Sequence, residues 1–341
     1  MSEHVVITGV AGQDGSLIAN LLVNKGFEVI GLYRPSSNNA FWRLDEMGIT
    51  NRIKFFPLDI SSYHNLGSVI PKKNIVAFLH FAGSTLTVSS HNNPSEVFHT
   101  NTYGVLEILN YIRNFNRECF VFLSSSSEVY GNFGTNISTN SNGICNPINP
   151  YGVSHSSILN ISEMFREVHE LVICNGVYFN HESIFRDQRF LARKLSLGVT
   201  QLLSNPEFVL EIGSFNSVKD WGCAQEFMSL TFELFKSRTN RALDIGTGKL
   251  TYLKDVLSLA LECVGFVPEF NGMEEGASII DRRTGRTLVK SVSALTRFNE
   301  SKPRLANVEL LLQTIQKTPS KTLIDIIPEL VKHEISRKGF S

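Results

Sequence analysis

Apolar residues in the first half of the chain alternate between short continuous runs and helical spacing. Residues 5–8 form an apolar run that predicts a buried strand, and residues 16–23 have the apolar spacing of a helix that buries one face. Further strands are predicted at residues 28–33 and 78–83. Strands that alternate with helical segments in this way, up to about residue 165, predict a doubly wound parallel sheet of the α/β class.

The second half of the chain is less regular. Strands are predicted at residues 171–173 and 242–245, and helices at residues 190–203 and 253–264. Residues 266–307 are polar and poorly periodic, so we expect loops there rather than core. Such a stretch fits a lobe that covers a binding site.

Three glycines separate the first predicted strand from the first helix. Gly9 permits a tight turn, Gly12 lets the backbone approach a pyrophosphate, and Gly15 allows the helix to pack closely on the strand. The N-terminus of the helix attracts the anion. Because a strand precedes the turn and a helix follows it, the context predicts dinucleotide binding, with Gln13 and Asp14 among the cofactor contacts.

The end of the second predicted strand bears on the choice of cofactor. An acidic residue there would bind the ribose 2′-hydroxyl and repel a 2′-phosphate, and this sequence has none. Arg34 and Ser36 offer a cation and a hydroxyl instead. They favour NADP(H) over NAD(H); the alternative is that Arg34 is a solvated loop residue.

Two later strand ends complete the predicted cofactor site. Asp59 and Ile60 follow an apolar segment, and we expect this carboxylate to meet the adenine. Phe81, Ala82 and Gly83 end the strand predicted at residues 78–83 and would close over the cofactor.

These features divide the chain into two parts. We predict an NADP-binding Rossmann domain over residues 1–170. Residues 171–335 form a mixed region that completes the sheet and makes a smaller C-terminal substrate-binding lobe. The chain has 341 residues, of which 42% are hydrophobic, so it can bury a core as one large domain or as two lobes.

Composition narrows the classes of function. The net charge is zero at pH 7, which gives a nucleic-acid partner no electrostatic support. The five cysteines have neither metal-like nor disulfide-like spacing, so we expect reduced thiols and no metal site. We find no signal peptide and no apolar run long enough to cross a bilayer, and we expect a cytoplasmic protein without a membrane partner.

The candidate chemistry lies in Tyr151 and His155, which are one helical turn apart. A tyrosine can take a proton from a substrate hydroxyl, but its unperturbed pKa of ~10 requires a positive neighbour that stabilises the phenolate. Histidine has an unperturbed pKa of ~6.5 and is largely uncharged at neutral pH. The alternative interpretation is therefore that His155 only packs near the cofactor.

A serine-rich strand end precedes this pair and finishes in Glu128. A carboxylate at the carboxyl end of a strand, ahead of a candidate active-site tyrosine, favours an acid/base role. The alternative interpretation is a cap or a surface residue.

Longer motifs carry a resemblance to a family. The chain resembles the GDP-mannose 4,6-dehydratases, in the extended branch of the short-chain dehydrogenase/reductase superfamily. The matching segments occur in family order at residues 7–15, 34–37, 125–131, 150–151, 174–176, 179–183, 192–194 and 219–222. The segments Phe179-Asn-His-Glu-Ser183 and Asp220-Trp-Gly222 are more specific than the glycine turn.

The resemblance implies roles for individual residues. Ser126 lies where the family has a hydroxyl that binds the sugar 4-oxygen, Glu128 where it has the acid/base for the C5 and C6 protons, and Tyr151 where it has the C4 base. The family normally has a lysine at the position of His155.

The resemblance also implies binding residues. His181 and Arg186 match positions that touch the cofactor, while Asn180, Lys194 and Lys219 fall where the nucleotide-sugar diphosphate is held. Lys219 replaces the usual arginine, which keeps the charge but loses the bidentate fork.

The implied reaction is the 4,6-dehydration of a GDP-sugar, such as GDP-mannose or a GDP-manno-heptose, by a lyase that regenerates its NADP. The products of such enzymes generally feed the synthesis of surface polysaccharides. Two alternatives stay open: an NADP(H)-dependent C4 oxidoreductase or epimerase acting on a nucleotide sugar, and a nucleotide-sugar-binding homologue with weakened turnover. The resemblance further implies a homodimer through the helices near Tyr151, or a homotetramer through residues 34–43.

Overall fold

A parallel sheet of seven strands lies at the centre of the computed structural model, which describes residues 3–35, 41–59, 66–70, 74–84, 90–132, 145–273, 275–295 and 302–339. The strands are β1 His4–Thr8, β2 Glu28–Tyr33, β3 Ile53–Pro57, β4 Ile75–His80, β5 Phe120–Ser126, β6 Ile173–Tyr178, β7 Asn180–Glu182, β8 Leu210–Ile212, β9 Val218–Lys219, β10 Trp221–Cys223, β11 Ala242–Ile245, β12 Thr251–Tyr252, β13 Pro268–Asn271, β14 Ser278–Asp281 and β15 Thr287–Ser291.

The helices are α1 Gln13–Asn24, α2 Trp42–Glu46, α3 Leu66–Val69, α4 Pro94–Phe98, α5 Gly104–Phe115, α6 Pro150–His169, α7 Leu191–Ser204, α8 Ala224–Lys236, α9 Leu253–Glu262, α10 Glu309–Ile315 and α11 Leu323–Lys338. A short 3₁₀ helix spans Ser127–Tyr130. In the described part of the chain, no helix is long and apolar enough to cross a membrane.

The order of the central sheet is β11-β6-β5-β4-β1-β2-β3, and every neighbouring pair is parallel. The predicted doubly wound sheet is thus confirmed. Side chains of successive strand residues point to opposite faces. Val5 and Ile7 accordingly pack with α1 and α8, while Val6 packs with α5 and α6. Both faces of the sheet are covered, as parallel sheets require.

Most of the predicted elements are present, with shifted bounds. The helices expected at residues 190–203 and 253–264 are α7 and α9. The strand predicted at residues 171–173 was placed too early, since β6 begins at Ile173 and continues to Tyr178. The polar residue Asn175 interrupts the apolar run by which a buried strand is predicted. Its side chain is nevertheless buried, and it accepts a hydrogen bond from Arg166 Nη1 at 2.8 Å.

The expectation of loops over residues 266–307 was wrong for much of that stretch. It contains β13, β14 and β15, which form an antiparallel meander that joins β8 in a second sheet. Ile279 and Val289 face one another across two of these strands and are fully buried. The apolar residues of these strands occur in runs too short to predict a strand from the sequence. They are stabilised by packing against residues that are distant along the chain.

The lobe formed by this second sheet has its own core, in which α7, α9 and α11 pack together. An ion pair between Arg193 on α7 and Glu334 on α11 lies inside it, and the two residues are 4% and 2% exposed. Because α7 also carries Lys194, this pair helps to place one wall of the candidate site.

The Arg193–Glu334 pair yields a prediction on stability. Glu334→Gln removes one charge and leaves the other buried without compensation, so unfolding free energy should fall by about 3–5 kcal/mol. The double variant Arg193→Met with Glu334→Leu removes both charges and should recover most of that loss. Urea denaturation at neutral pH measures both.

The control is Lys236→Ala, which breaks an exposed pair with Glu233 at 3.3 Å and should cost less than about 1 kcal/mol. A loss for Glu334→Gln no larger than that of the control would show that the buried pair does not stabilise the lobe.

Candidate active site

A cavity of about 660 Å³ opens at the carboxyl ends of β4, β5 and β6, between the central sheet and the C-terminal lobe. Its walls contain most of the residues that the sequence singled out. Those are Asp14, Phe81, Ala82, Gly83, Ser126, Glu128, Tyr151, His155, Asn180, His181, Arg186, Lys194 and Lys219.

The remaining predicted residues lie elsewhere. Gly9, Gly12, Gln13 and Gly15 form the turn behind the wall. Arg34 and Asp59 follow the ends of β2 and β3, and among the described residues they are not part of the wall. Ser36 and Ile60 fall outside the described residues.

The turn between β1 and α1 leaves no room for a side chain at Gly9, and the first turn of α1 leaves none at Gly15. Gly9 has a φ of +67°, and a Cβ there would lie 2.8 Å from the Ala82 nitrogen. A Cβ on Gly15 would lie 2.2 Å from the Gly9 carbonyl oxygen. Gly12 is the N-cap of α1 and has no side chain with which to satisfy the first amides of the helix. The turn therefore presents an open helix N-terminus, which is suited to an anion.

Side chains from β7 and from the residue that follows it hydrogen-bond to the start of α1. His181 Nε2 lies 3.0 Å from Asp14 Oδ1, and the Ser183 hydroxyl donates to Gln13 Oε1 at 2.8 Å. Burial opposes ionisation of Asp14, but His181, the Arg186 charge and a hydrogen bond from Gln13 together lower the pKa of Asp14 to about 2. Arg43, which the sequence analysis missed, donates to the carbonyl oxygens of Ala11 and Phe185 at 3.0 and 2.6 Å.

Glu128 lies on the 3₁₀ helix that follows β5. Ser126 caps this helix, since its Oγ accepts a hydrogen bond from the Glu128 amide at 3.3 Å. Asn149 caps α6 by accepting from the Gly152 amide at 2.8 Å, and its side-chain nitrogen donates to Glu128 Oε2 at 2.9 Å. One asparagine thus fixes the start of the helix that carries Tyr151 relative to Glu128.

The backbone of Asn146 contacts the 3₁₀ helix that carries Glu128. The Asn146 amide donates to the Val129 carbonyl oxygen at 2.9 Å. Gly131 has a φ of +52°, and a Cβ there would lie 1.7 Å from the Asn146 carbonyl oxygen. Only glycine fits such a contact.

Arg304 forms an ion pair with Glu128 from 176 positions further along the chain. The side chains are 8% and 15% exposed. Burial opposes ionisation of Glu128, but the Arg304 charge and the hydrogen bonds from Arg304 and Asn149 lower the pKa of Glu128 below its ordinary value. Glu128 is therefore a carboxylate at neutral pH and can accept a proton.

Sequence reasoning missed both partners of Glu128. Asn149 had a signal, because asparagine directly before Pro150 is typical of an N-cap with proline at the first helical position. Arg304 lies in an aperiodic segment and had none.

Tyr151 and His155 meet at one side of the cavity. Their rings lie edge to face, with centroids 4.4 Å apart. Burial raises the pKa of Tyr151 to about 12; a hydrogen bond with Ser126 opposes the rise and the Glu128 charge adds to it. Burial lowers the pKa of His155 to about 4, although Glu128 opposes that change. At neutral pH the phenol is therefore protonated and the imidazole beside it is neutral.

His80 is a second histidine in this wall, and the sequence analysis did not single it out. Its Nδ1 lies 2.7 Å from the Thr8 hydroxyl at the end of β1. Burial lowers the pKa of His80 to about 3, with a smaller effect of His155 in the same direction. Neither histidine supplies a positive charge next to Tyr151.

Cationic side chains line a further part of the cavity wall. Lys194 lies on α7, and Lys219 lies in β9 with its Nζ 6.0 Å from the Trp221 ring centroid. Arg186 stacks on Phe190 with its Cζ 3.7 Å from the ring centroid and lies 3.4 Å from the buried Glu182 carboxylate. This wall is suited to an anionic ligand. The described residues contain no cluster of three His, Cys, Asp or Glu side chains that could hold a metal ion.

The sheet, the glycine turn and the position of the cavity define the class of protein, a Rossmann-type α/β fold with its cavity at the carboxyl ends of the strands. The dTDP-glucose 4,6-dehydratase of Bacillus anthracis, solved with NAD, superposes with a TM-score of 0.79 at 17% identity, over 99% of this chain and 98% of that one. The RMD protein of Pseudomonas aeruginosa, solved with NADPH, gives a TM-score of 0.76 at 17% identity, over 99% of each chain. At these identities the likeness establishes the fold.

The chain belongs to the GDP-mannose 4,6-dehydratase family, since the model of that family matches residues 6–330. The predicted resemblance is thereby confirmed. GDP-mannose 4,6 dehydratase 2 of Caenorhabditis elegans is 27% identical over 97% of this chain and 88% of its own length. The GDP-mannose 4,6-dehydratase of Vibrio cholerae is 26% identical, over 97% and 93%. The chain spans only 61% of the length of the Sordaria araneosa relative sdnI, to which it is 27% identical.

The contact between Tyr151 and His155 yields a prediction. In His155→Lys a permanent cation one turn from the phenol should lower the pKa of Tyr151 by roughly 1–3 pH units. Each pH unit corresponds to about 1.4 kcal/mol of phenolate stabilisation. Carbon-13 NMR of labelled tyrosine, with Tyr151→Phe to assign the resonance, measures the titration.

His155→Gln is the control, since it stays neutral and should leave the pKa of Tyr151 near about 12. If lysine and glutamine give the same titration, the residue at position 155 does not set the protonation state of Tyr151.

Proposed function

We propose that the protein is a 4,6-dehydratase of a GDP-sugar, with GDP-mannose or a GDP-manno-heptose as substrate and NADP as cofactor. The observation that carries this proposal is the placement of Glu128, a carboxylate held next to Tyr151 and Ser126 in one cavity. A simple C4 oxidation or epimerisation needs the tyrosine but has no use for this acid/base. Membership of the family supports the same conclusion.

The residues present fit a nicotinamide dinucleotide. The open N-terminus of α1 and the close approach of Gly9 to Ala82 suit its pyrophosphate, and Phe81 to Gly83 would flank the rest of the cofactor. When bound, the cofactor would accept a hydride from C4 of the sugar and return it to C6, so that none is consumed.

Tyr151 is proposed to take the proton of the 4-hydroxyl during the first step, with Ser126 orienting the 4-oxygen. Because the pKa of Tyr151 is about 12 in the structure, the phenol must first lose its own proton, and the neutral His155 gives little help. We expect the C4 step to be faster at alkaline pH for this reason.

Glu128 is proposed to carry the elimination. The 4-ketone acidifies the C5 hydrogen, and the Glu128 carboxylate removes it as a proton. The same group then gives that proton to the departing 6-hydroxyl, which leaves as water. When hydride returns to C6, C5 takes up one proton, which balances the proton that Tyr151 removed from the 4-hydroxyl. Lys194 and Lys219 would bind the diphosphate of the substrate, together with Asn180.

We further propose a homo-oligomer. Tyr103 beside α5, and Val153, Met164 and Val168 on α6, are large apolar side chains that remain exposed. A second copy of the chain could cover them through paired helices. The proposed tetramer contact over residues 34–43 includes residues outside the described part of the chain.

The function is tested by incubating the pure protein with NADP and GDP-mannose. Proton NMR should show a new C6 methyl signal, the mark of a 4-keto-6-deoxy sugar. A 4-keto sugar without a methyl group would indicate the oxidoreductase instead. Binding without any product would indicate a homologue that has lost turnover.

Glu128→Gln should lower the rate of water loss by roughly 10²–10⁴-fold while sugar and cofactor binding change little, because an amide keeps the shape but cannot shuttle protons. Product formation is followed by the methyl signal and binding by calorimetry. Glu262→Gln, an exposed substitution on the far end of α9, serves as the control. A near wild-type rate in Glu128→Gln would make Glu128 a structural residue.

The cofactor preference gives a separate prediction. Arg34 lies just beyond β2, which neighbours β1 and its glycine turn, so its charge can meet a 2′-phosphate. Arg34→Ala should weaken NADPH binding by roughly tenfold or more and leave NADH binding unchanged. Calorimetry measures both, with the exposed Arg337→Ala as the control. Wild-type protein that binds NADH as tightly as NADPH would rule out the preference.

A further inference from the structure

We propose that Asp244 is a positioning residue for the ion pair of Glu128 and Arg304, because its carboxyl group joins the two segments that carry them. The proposal deepens the proposed function and rests on it for its catalytic consequence only. Asp244 lies in β11, the edge strand of the central sheet, and is 1% exposed. A carboxyl group buried this deeply needs hydrogen-bond partners, and each of its oxygens has one.

The first oxygen contacts the segment of Glu128. The Tyr130 phenol donates to Asp244 Oδ1 at 2.5 Å. Tyr130 belongs to the same short 3₁₀ helix as Glu128, two residues further on. Since that helix is a single turn, a shift of Tyr130 also moves Glu128.

The second oxygen contacts the segment of Arg304. We call residues 304–308 the strap. The Asn307 amide in the strap donates to Asp244 Oδ2 at 3.1 Å. Ala306 of the strap packs with Tyr130 and Val129 in one buried apolar cluster, so nonpolar contacts accompany the hydrogen bonds.

Asp220 anchors the strap differently. Its Oδ2 accepts from the Ala306 amide at 3.2 Å and from the Gly248 amide at 2.9 Å, and its Oδ1 accepts from the Thr247 amide at 2.9 Å. These bonds fix the strap to the turn after β11. Asp244 instead fixes the strap to the helix of Glu128. The spacing of these two segments sets the distance between the Arg304 guanidinium and the Glu128 carboxylate.

The consequence concerns the pKa of Glu128, which the Arg304 contact lowers. If either hydrogen bond to Asp244 is lost, we expect the Arg304 guanidinium and the Glu128 carboxylate to separate. The pKa of Glu128 then rises. A residue that only stabilises the fold would not change that pKa.

The test compares Asp244→Asn with Tyr130→Phe. Asparagine keeps the size but offers one acceptor where two donors arrive, and phenylalanine removes only the contact to the helix. Carbon-13 NMR of labelled glutamate, with Glu128→Gln to assign the resonance, should show that Glu128 titrates at higher pH in both variants, towards its value in Arg304→Gln. Adding Asp244→Asn to Arg304→Gln should cause no further rise, because both act through one pair.

Turnover gives a second measurement. In Asp244→Asn we expect kcat for dehydration to fall roughly tenfold, with a smaller change in KM, as for a misplaced catalytic group. Asp255→Asn, an exposed substitution on α9, should change neither the titration nor the rate.

If Asp244→Asn and Tyr130→Phe lower the melting temperature while Glu128 titrates as in the wild type, Asp244 is only structural and the proposal is overturned. Wild-type protein that forms no 6-deoxy product would instead contradict the proposed function. The titration still decides the positioning role in that case, because it needs no turnover.

Discussion

A carboxylate buried beside a phenol is the arrangement on which the rest of this site depends. Removing a carboxylate from water is costly unless a counter-charge and hydrogen bonds replace the lost hydration. Arg304 and Asn149 provide both to Glu128. They come from separate parts of the chain, so the start of α6 and the strap must both be in place before the carboxylate can be buried. The site is therefore completed only when the C-terminal segment packs against the sheet.

The same surroundings set opposite protonation states on two neighbouring groups. The guanidinium keeps Glu128 ionised, whereas burial and that negative charge keep Tyr151 protonated. Pairs of groups whose pKa values are pushed apart are typical of acid/base sites. At neutral pH Glu128 is thus the ionised member of the pair and Tyr151 the protonated one. A lysine near Tyr151 would lower the pKa of the phenol, whereas the neutral His155 does little to lower it.

The sequence predicted what depends on local pattern. The glycine turn, the alternation of strands and helices, and the position of Glu128 just after a strand follow from short-range rules of spacing, whereas the site role of Ser126 was implied by the family resemblance. The two partners of Glu128 differ in whether a local sequence pattern could have predicted them. Asn149 had a local capping signal that could have been read, whereas Arg304 meets Glu128 only through tertiary packing. The meander of β13 to β15 was missed for the same reason, since its apolar pairs are too short to show a period.

The backbone contact between Gly131 and Asn146 has a consequence for how the chain can vary. Because these residues touch, the number of residues between them does not affect the spacing of Glu128 and Tyr151. Closing a longer loop between fixed ends costs only about 0.6 kcal/mol for each doubling of its length. Insertions and deletions are thus tolerated there far more readily than at Gly131 itself. The spacing of Glu128 and Tyr151 can stay constant while the sequence between these two contact points changes.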